Sequence, residues 1–231
     1  MRDTVLDARL ASAAGLVRQG ACFADIGTDH ARLPLFLLSS GRVVRAYAAD
    51  VARGPLSRAK EAIEQAGESR CETVLCDGAA ALAGRGITDY AICGMGGELI
   101  ARIISDAPQL RDASVRLILQ PMTRAAHLRR YLAENGFRIL REVYSIAASR
   151  PYVCLLAEFC GGYRQISRME AEIGTPEDPG DQAFRAYARQ RLRALEREAA
   201  GARQSGRDGE QAGQAARAIA ALLENDQYKE R

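Results

Sequence analysis

Residues 21–40 carry the pattern that most restricts how this chain can fold. An apolar lead, Ala21 to Ala24, runs into an acid and then a glycine, Asp25-Ile26-Gly27. Thr28, Asp29 and His30 follow, and then an apolar run of helical spacing, Leu33 to Leu38. The order reads as strand, tight turn, helix, the first unit of a nucleotide-binding α/β sheet, whose ligands lie at the carboxyl ends of its strands. Gly27 is the sole glycine of the turn, so the dinucleotide fingerprint GxGxxG is absent, and an ordinary βα turn is the competing reading.

The unit repeats. Val43 to Asp50 is a second strand ending in an acid, about twenty residues past Gly27, where a carboxylate holds ribose hydroxyls in sheets of this kind. A solvated strand-end acid is the plainer alternative. Gly54-Pro55 opens a helix that runs to Ala66. Cys71 to Cys76 is a third strand, ending in Asp77-Gly78, which suits either the edge of an adenine ring or a plain turn. Asp89 to Cys93 is a fourth, and it enters Gly94-Met95-Gly96-Gly97, where the glycines let backbone come very close to a neighbour. That neighbour is a flat ligand or simply the packing of a βα turn. A helix from Glu98 to Ser105, a strand from Val115 to Gln120 closed by Pro121, and a helix from His127 to Glu134 follow. Phe137 to Tyr144 and Tyr152 to Phe159 form a closing antiparallel hairpin. Ahead of the first strand, residues 4–18 place Val5, Leu6, Leu10, Ala13, Ala14 and Val17 at helical spacing. Strands alternating with helices and ending in a hairpin make the seven-stranded, Rossmann-like methyltransferase pattern of the α/β class.

Gly161-Gly162 marks a change of composition, which divides the chain into a sheet domain, 1–161, and a helical tail, 162–231. In the tail, a short helix is expected over 163–173 and a loop over Thr175 to Gly180. Phe184, Ala188, Leu192, Leu195 and Ala199 form one apolar stripe; Ala216, Ile219 and Leu223 form another beyond a glycine-broken stretch, 201–213. Two stripes joined by a loop predict an antiparallel, coiled-coil-like hairpin. Arg185, Arg189, Arg193 and Arg197 recur every four residues beside the first stripe, as a ridge that contacts RNA phosphates or is simply solvated. Arg124, Arg129, Arg130, Arg138 and Arg141, opposed by Glu134 and Glu142, form a second basic region with the same two readings.

A net charge of +3 says little about partners, although 32 basic residues include only two lysines, Lys60 and Lys229, and arginine suits phosphate contacts. Cysteines at 22, 71, 76, 93, 154 and 160 have neither CxxC nor zinc spacing, so no metal site is expected; Cys22 and Cys93 lie in apolar runs and are expected to be buried. No secretory leader and no membrane-length apolar run is read, and a cytoplasmic chain with reduced thiols is expected.

DIGTDHARLP (25–34), AADVARGPL (48–56), CDGAAAL (76–82), ICGMGGELI (92–100) and LILQPM (117–122) resemble, in order and spacing, the bacterial tRNA (adenine(22)-N1)-methyltransferases, the TrmK family. The resemblance is close over residues 4–160 and architectural in the tail. It implies a class I methyltransferase domain with a C-terminal coiled coil, S-adenosylmethionine as cofactor, and tRNA as substrate, methylated at N1 of an adenine. Carried onto this chain, it implies that Asp25, Gly27 and Thr28 meet the methionine side of the cofactor. Asp50 falls on its ribose, Val51 on its adenine, and Asp77 and Gly78 on the adenine edge. Gly94 and Met95 close the cofactor site, and Gly96 and Gly97 face the target base. Asp29 is the expected catalytic acid and His30 its orienter or a proton acceptor. Arg32 and Arg53 depart from the family pattern, where tyrosine and a small or apolar residue are common. Two other readings are kept: the same fold acting on a small molecule or protein, and a non-catalytic RNA-binding module with a relic pocket. The intact acids oppose the second. A nicotinamide dehydrogenase fits less well, for want of GxGxxG.

Overall fold

The computed structural model describes residues 5–205 and 208–225. One seven-stranded sheet is built from β1 (Ala21–Ile26), β2 (Val43–Asp50), β3 (Cys71–Leu75), β4 (Asp89–Gly96), β5 (Arg116–Thr123), β6 (Phe137–Ala147) and β7 (Arg150–Phe159) in the spatial order β3-β2-β1-β4-β5-β7-β6. β1 to β5 run parallel, and β7 lies antiparallel between β5 and β6. Strand order reverses at β1, which has β2 on one side and β4 on the other. The crevice at their carboxyl ends is the topological switch point where open α/β sheets hold ligands.

Helices cover both faces: α1 (Ala8–Leu16), α2 (Arg32–Ser39) and α3 (Arg53–Ala66), then α4 (Gly97–Ser105) and α5 (Ala125–Glu134). Because successive strand residues point to opposite faces, β1 serves two cores. Ala21 and Phe23 join Leu33, Leu37 and Ala59 on one face; Ala24 and Ile26 join Ile100, Ile104 and Leu128 on the other. Asp25 shares the parity of Phe23, at the end of the strand.

α6 (Arg168–Ile173), α7 (Gln182–Gln204) and α8 (Glu210–Glu224) form the tail. Arg185, in the first turn of α7, donates to the carbonyl of Leu223, in the last turn of α8, so the two helices run antiparallel. Their facing residues, Phe184, Ala188, Leu195, Ala199, Ala212, Ala216 and Ile219, make a third core. Tyr144 of β6 packs against this core, and Tyr187 of α7 belongs to a sheet core. The tail is thus docked on the sheet edge.

Several boundaries differ from the sequence reading, each for a physical reason. The first helix begins at Ala8 because Asp7 caps it, accepting from the N–H groups of Arg9 and Leu10. Val5 is 85% exposed and adds nothing to its stripe; residue 4 lies outside the described residues. β4 continues through Gly94 to Gly96, and β5 past Pro121 to Thr123, because register shifts at Cys93/Met95 and Met95/Gly96 carry the pair past both breakers. α6 starts only at Arg168, where the Ser167 hydroxyl accepts from the Glu170 N–H. α7 crosses Gly201, since the apolar stripe outweighs the roughly 1 kcal/mol that a helical glycine costs. Cys22 and Cys93 are half-buried, Cys71, Cys76 and Cys154 are buried, and all six thiols are free.

Candidate active site

The turn after β1 is tied to its neighbours on both sides. The N–H groups of Gly27 and Thr28 both donate to Ala49 O of β2, at 2.8 and 2.9 Å. Gly27 has φ +77°, so the turn needs glycine for its conformation, and the end of the Met95 side chain of β4 fills the space where a Cβ would be, 2.1 Å from Met95 Cε. Thr28 is 1% exposed. Its Oγ1 lies by the Asp25 carboxyl but has no well-formed hydrogen bond to any of the described residues. Burial pushes the Asp25 carboxyl up to about 6; the Thr28 hydroxyl opposes the shift and the charge of Asp50 adds to it.

The next two strand tips lie alongside. Asp50 is half-buried, and its Oδ1 accepts from the Ala52 N–H at 2.7 Å. No described residue donates to its Oδ2. The Cys76 N–H donates to Asp50 O at 3.0 Å, which brings the Asp77-Gly78 turn against β2. Asp77 is exposed, Gly78 has φ +67°, and Val51 presents an apolar side chain that is 65% exposed. Asp25, Gly27, Thr28, Asp50, Val51, Asp77, Gly78 and Met95 therefore share one edge of the sheet.

Beyond Thr28 the chain takes two left-handed residues in succession, His30 at φ 57° and Ala31 at φ 49°. Such backbone is costly for non-glycine residues and persists where its surroundings hold it; Ala31 is wholly buried. The kink leaves the Asp29 side chain 64% exposed at the rim. His30 Nε2 lies 3.5 Å from Asp29 Oδ1, and Arg58 of α3 approaches the same oxygen with Nη2 at 3.2 Å and Nε at 3.4 Å. Arg58 was not foreseen: nothing in the sequence distinguishes it from other helix-surface arginines.

The Gly94–Gly97 segment is held by a buried amide that sequence reasoning also missed. Gln120 of β5 is 1% exposed. Its Oε1 accepts from the Gly94 N–H at 3.2 Å and from Arg9 Nη1 at 3.1 Å, while Nε2 donates to Pro121 O at 3.2 Å. A guanidinium only donates, so Arg9 sets which way the amide faces. Gly94 (φ +79°) has open space where a side chain would be, whereas a Cβ on Gly97 would lie 2.4 Å from Arg124 O. Gly94 is the open end of the motif, and Gly97 is buried against the turn after β5.

The arginine groups need correction. Arg189, Arg193 and Arg197 are exposed along α7, but Arg185 is buried and bonded to Leu223 O. A four-residue step overshoots a 3.6-residue turn by about 40°, so the row winds around the helix, and its first member turns under α8. Arg129 is 1% exposed and bonds Glu142 through both Nε and Nη2, at 2.9 Å each. It is unavailable to RNA. Arg138 pairs with Glu158 and Arg141 with Glu177. Among the described residues, no cluster of three or more His, Cys, Asp or Glu is placed to hold a metal ion, and no helix is long and apolar enough to cross a membrane.

With this geometry in place, comparisons with known proteins converge. The family described as "Methyltransferase domain" matches residues 6–155. The tRNA (adenine(22)-N(1))-methyltransferase of Bacillus subtilis (strain 168) is 33% identical over 159 residues, which are 68% of this chain and 67% of that protein. Among solved structures, Streptococcus pneumoniae Sp1610 in complex with S-adenosyl-L-methionine is 32% identical with a TM-score of 0.80, over 93% of this chain and 98% of that one. The B. subtilis M1A22 tRNA methyltransferase TrmK is 28% identical with a TM-score of 0.74, over 95% and 97%.

Proposed function

This chain belongs to the tRNA (adenine(22)-N1)-methyltransferase family, and on that premise we propose that it methylates N1 of adenine 22 in tRNA, using S-adenosylmethionine held at the carboxyl edge of β1, β2 and β4. The observation that carries the site assignment is the meeting of Asp25, Asp50 and Asp77 around a Gly27 turn pressed against Met95.

The residues fit the cofactor's chemistry. Among the described residues, Thr28 Oγ1 is a buried hydroxyl without a settled partner, and Asp25 is a buried carboxyl without a cation. Both suit the ammonium end of an amino acid. Asp50 has an oxygen left for ribose hydroxyls, and Val51 gives an aromatic ring an apolar surface. Bound there, S-adenosylmethionine supplies an electrophilic methyl group on a sulfonium.

Adenine N1 keeps a lone pair in the ring plane, so it attacks without prior deprotonation, and the chain's tasks are positioning and electrostatics. The ring gains positive charge as the methyl arrives. Asp29, exposed at the rim, accepts a hydrogen bond from the exocyclic amine and stabilises that charge. His30 and Arg58 hold the Asp29 oxygen in place. Gly94 and Met95 border the donor and Gly96 the base; Gly97, expected to face the base, is instead buried against Arg124 O and only shapes the turn behind it. N1 lies on the Watson–Crick edge, so the target adenine enters unpaired or swung out of its stack. The division at residues 161 and 162, the exposed Arg189, Arg193 and Arg197 as an RNA-facing row, and a cytoplasmic setting belong to the same proposal.

Calorimetry with S-adenosylmethionine, coupled to transfer of labelled methyl into tRNA from a strain lacking this modification, tests it. Saturable heat and methyl incorporation are expected; binding without incorporation refutes the tRNA assignment, and no binding refutes the site.

A pH dependence follows from Asp25. With its folded pKa raised to about 6, the carboxyl is ionised at pH 7.5 and neutral at pH 5. Cofactor affinity is therefore flat above about pH 7 and weakens below 6 by up to about tenfold per unit, since one proton must leave for the cation to bind. The apo fold responds in the opposite sense. A carboxyl with a raised pKa stabilises the fold below its unfolded value and loses that contribution as pH climbs through 6. About two units at ~1.4 kcal/mol each is about 3 kcal/mol. Asp25→Asn is expected to raise the apo Tm at pH 7.5, weaken cofactor binding at least about tenfold and flatten its pH profile. A Kd with no pH dependence between 5 and 7.5 in the wild-type chain contradicts this.

A further inference from the structure

We propose that the groove between the β5–α5 turn and helices α6 and α7 is the track for the tRNA backbone flanking the target base, gripped by Arg124, Arg130 and Arg150. The proposal rests on tRNA being the substrate and names where and by which residues the strand is held. The groove has a volume of about 810 Å³ and is walled on one side by Pro121 to His127 and Arg130, and on the other by Gln190 and Arg191 of α7. The β6–β7 hairpin contributes Arg150, Pro151 and Tyr152 at its end.

Its charges fall into two sets. Arg168 and Arg191 are committed to Glu172, and Arg168 also to Glu198, at 2.6 to 2.9 Å. Arg130, Arg150 and His127 have no side-chain partner among the described residues, and Arg124 meets Glu98 only at 3.8 Å. Glu98, Glu172 and Glu198 also line the groove; the last two are taken up by Arg168 and Arg191, and Glu98 faces Arg124. This leaves Arg130 and Arg150 as the guanidinium groups open to a polyanion, and each phosphate they take releases condensed counter-ions. The first turn of α5, residues 125–127, opens into the same groove without a side-chain cap.

Position separates RNA from an acidic protein as occupant. Gly97 packs directly on Arg124 O, so the groove begins where the Gly94–Gly97 segment ends. A strand that delivers one base to that segment must carry its neighbouring phosphates past Arg124. The outer face of α7, with Arg189, Arg193 and Arg197, adds contacts further out, but the groove is the part joined to the site.

The test compares three full-length proteins: wild type, the double variant Arg130→Gln/Arg150→Gln, and a charge-matched variant Arg203→Gln/Arg217→Gln. The last pair is exposed on α7 and α8 and does not line the groove. Each is titrated with tRNA at several salt concentrations and with S-adenosylmethionine alone. The groove variant is expected to bind tRNA at least about tenfold more weakly, with the slope of log K against log salt reduced by roughly 1 to 2. Its KM for tRNA rises, its cofactor Kd stays at the wild-type value, and the charge-matched variant stays near wild type. Unchanged tRNA affinity and salt slope in the groove variant overturn the groove while leaving the tRNA assignment standing, and so does an equal loss in the charge-matched variant. A wild-type chain that binds an acidic polypeptide in the groove but no tRNA overturns both.

Discussion

Asp29→Ala is expected to lower methyl transfer to tRNA by at least about a hundredfold while leaving the affinity for S-adenosylmethionine within a few-fold of wild type. The magnitude is that of removing one preorganised electrostatic partner from a developing charge. The separation of the two effects follows from position. Asp25, Thr28 and Asp50 lie at the tips of β1 and β2, whereas Asp29 stands at the rim with its side chain 64% exposed. Its partners, Arg58 at 3.2 Å and His30 at 3.5 Å, are themselves nearly half exposed, so breaking these contacts changes stability little. The Tm of the variant should therefore match wild type. Asp29→Asn keeps the shape and loses the charge, and should fall nearly as far. His30→Gln should fall less, since it disturbs only the orientation of Asp29. Turnover at the wild-type rate in Asp29→Ala removes this residue from the mechanism.

The second large effect lies far from the cleft. Arg129→Ala is expected to cost about 3–5 kcal/mol, the range for leaving one half of a buried ion pair uncompensated. For a chain of this size that is a fall in Tm of roughly 10 °C. The Arg129 guanidinium is 1% exposed and uses four of its five N–H donors: Glu142 takes Nε and Nη2, and the carbonyls of Ala171 and Glu172 take Nη1 at 3.0 and 3.2 Å. Its Cζ lies 5.8 Å from the centre of the Tyr187 ring. The Tyr144 hydroxyl sits between Glu142 Oε2 at 2.5 Å and Ile173 O at 2.6 Å, its single proton serving one of them at a time. Gly174 completes the clamp, because a Cβ there would overlap the Glu142 carboxylate. Residues of α5, β6, α6 and α7 are thus joined through one buried charge pair. Arg129→Met with Glu142→Leu removes both charges together and should recover most of the loss. A Tm for Arg129→Ala within 2 °C of wild type, roughly the effect of 1 kcal/mol or less, contradicts the account. The clamp also bears on truncation. Ending the chain at 161 takes away the carbonyls that Arg129 and Tyr144 need, so a loss of tRNA binding on truncation would mix damage to the fold with loss of the tail.

Much of the sheet was legible because its signals are local. An apolar run, an acid and a glycine turn recur at each parallel strand, and the edge hairpin follows from two alternating runs near the end. What was hidden depends on partners distant in sequence. The hairpin turn at Ala148-Ser149 has φ of 46° and 62°, values that usually call for Asn-Gly, so composition did not mark it. β4 runs on through its glycines because β5 shifts register beside it. Arg129 and Arg185 read as surface charge until Glu142 and the end of α8 fold over them. At the site, Asp25, Gly27, Asp50 and Asp77 stood out by their place at strand ends. Arg9, Arg58 and Gln120 did not, since each acts through a residue from another element.

One measurement bears most directly on the central claim, that a donor held at the β1, β2 and β4 tips passes its methyl to a purine ring nitrogen. Unmodified tRNA is incubated with the wild-type chain and S-adenosylmethionine, digested, and the methylated nucleoside identified and placed by mass spectrometry. The account predicts 1-methyladenosine at position 22, formed at least about a hundredfold more slowly by Asp29→Ala. Methyl on the exocyclic N6, on another nucleotide, or on no nucleotide at all contradicts it.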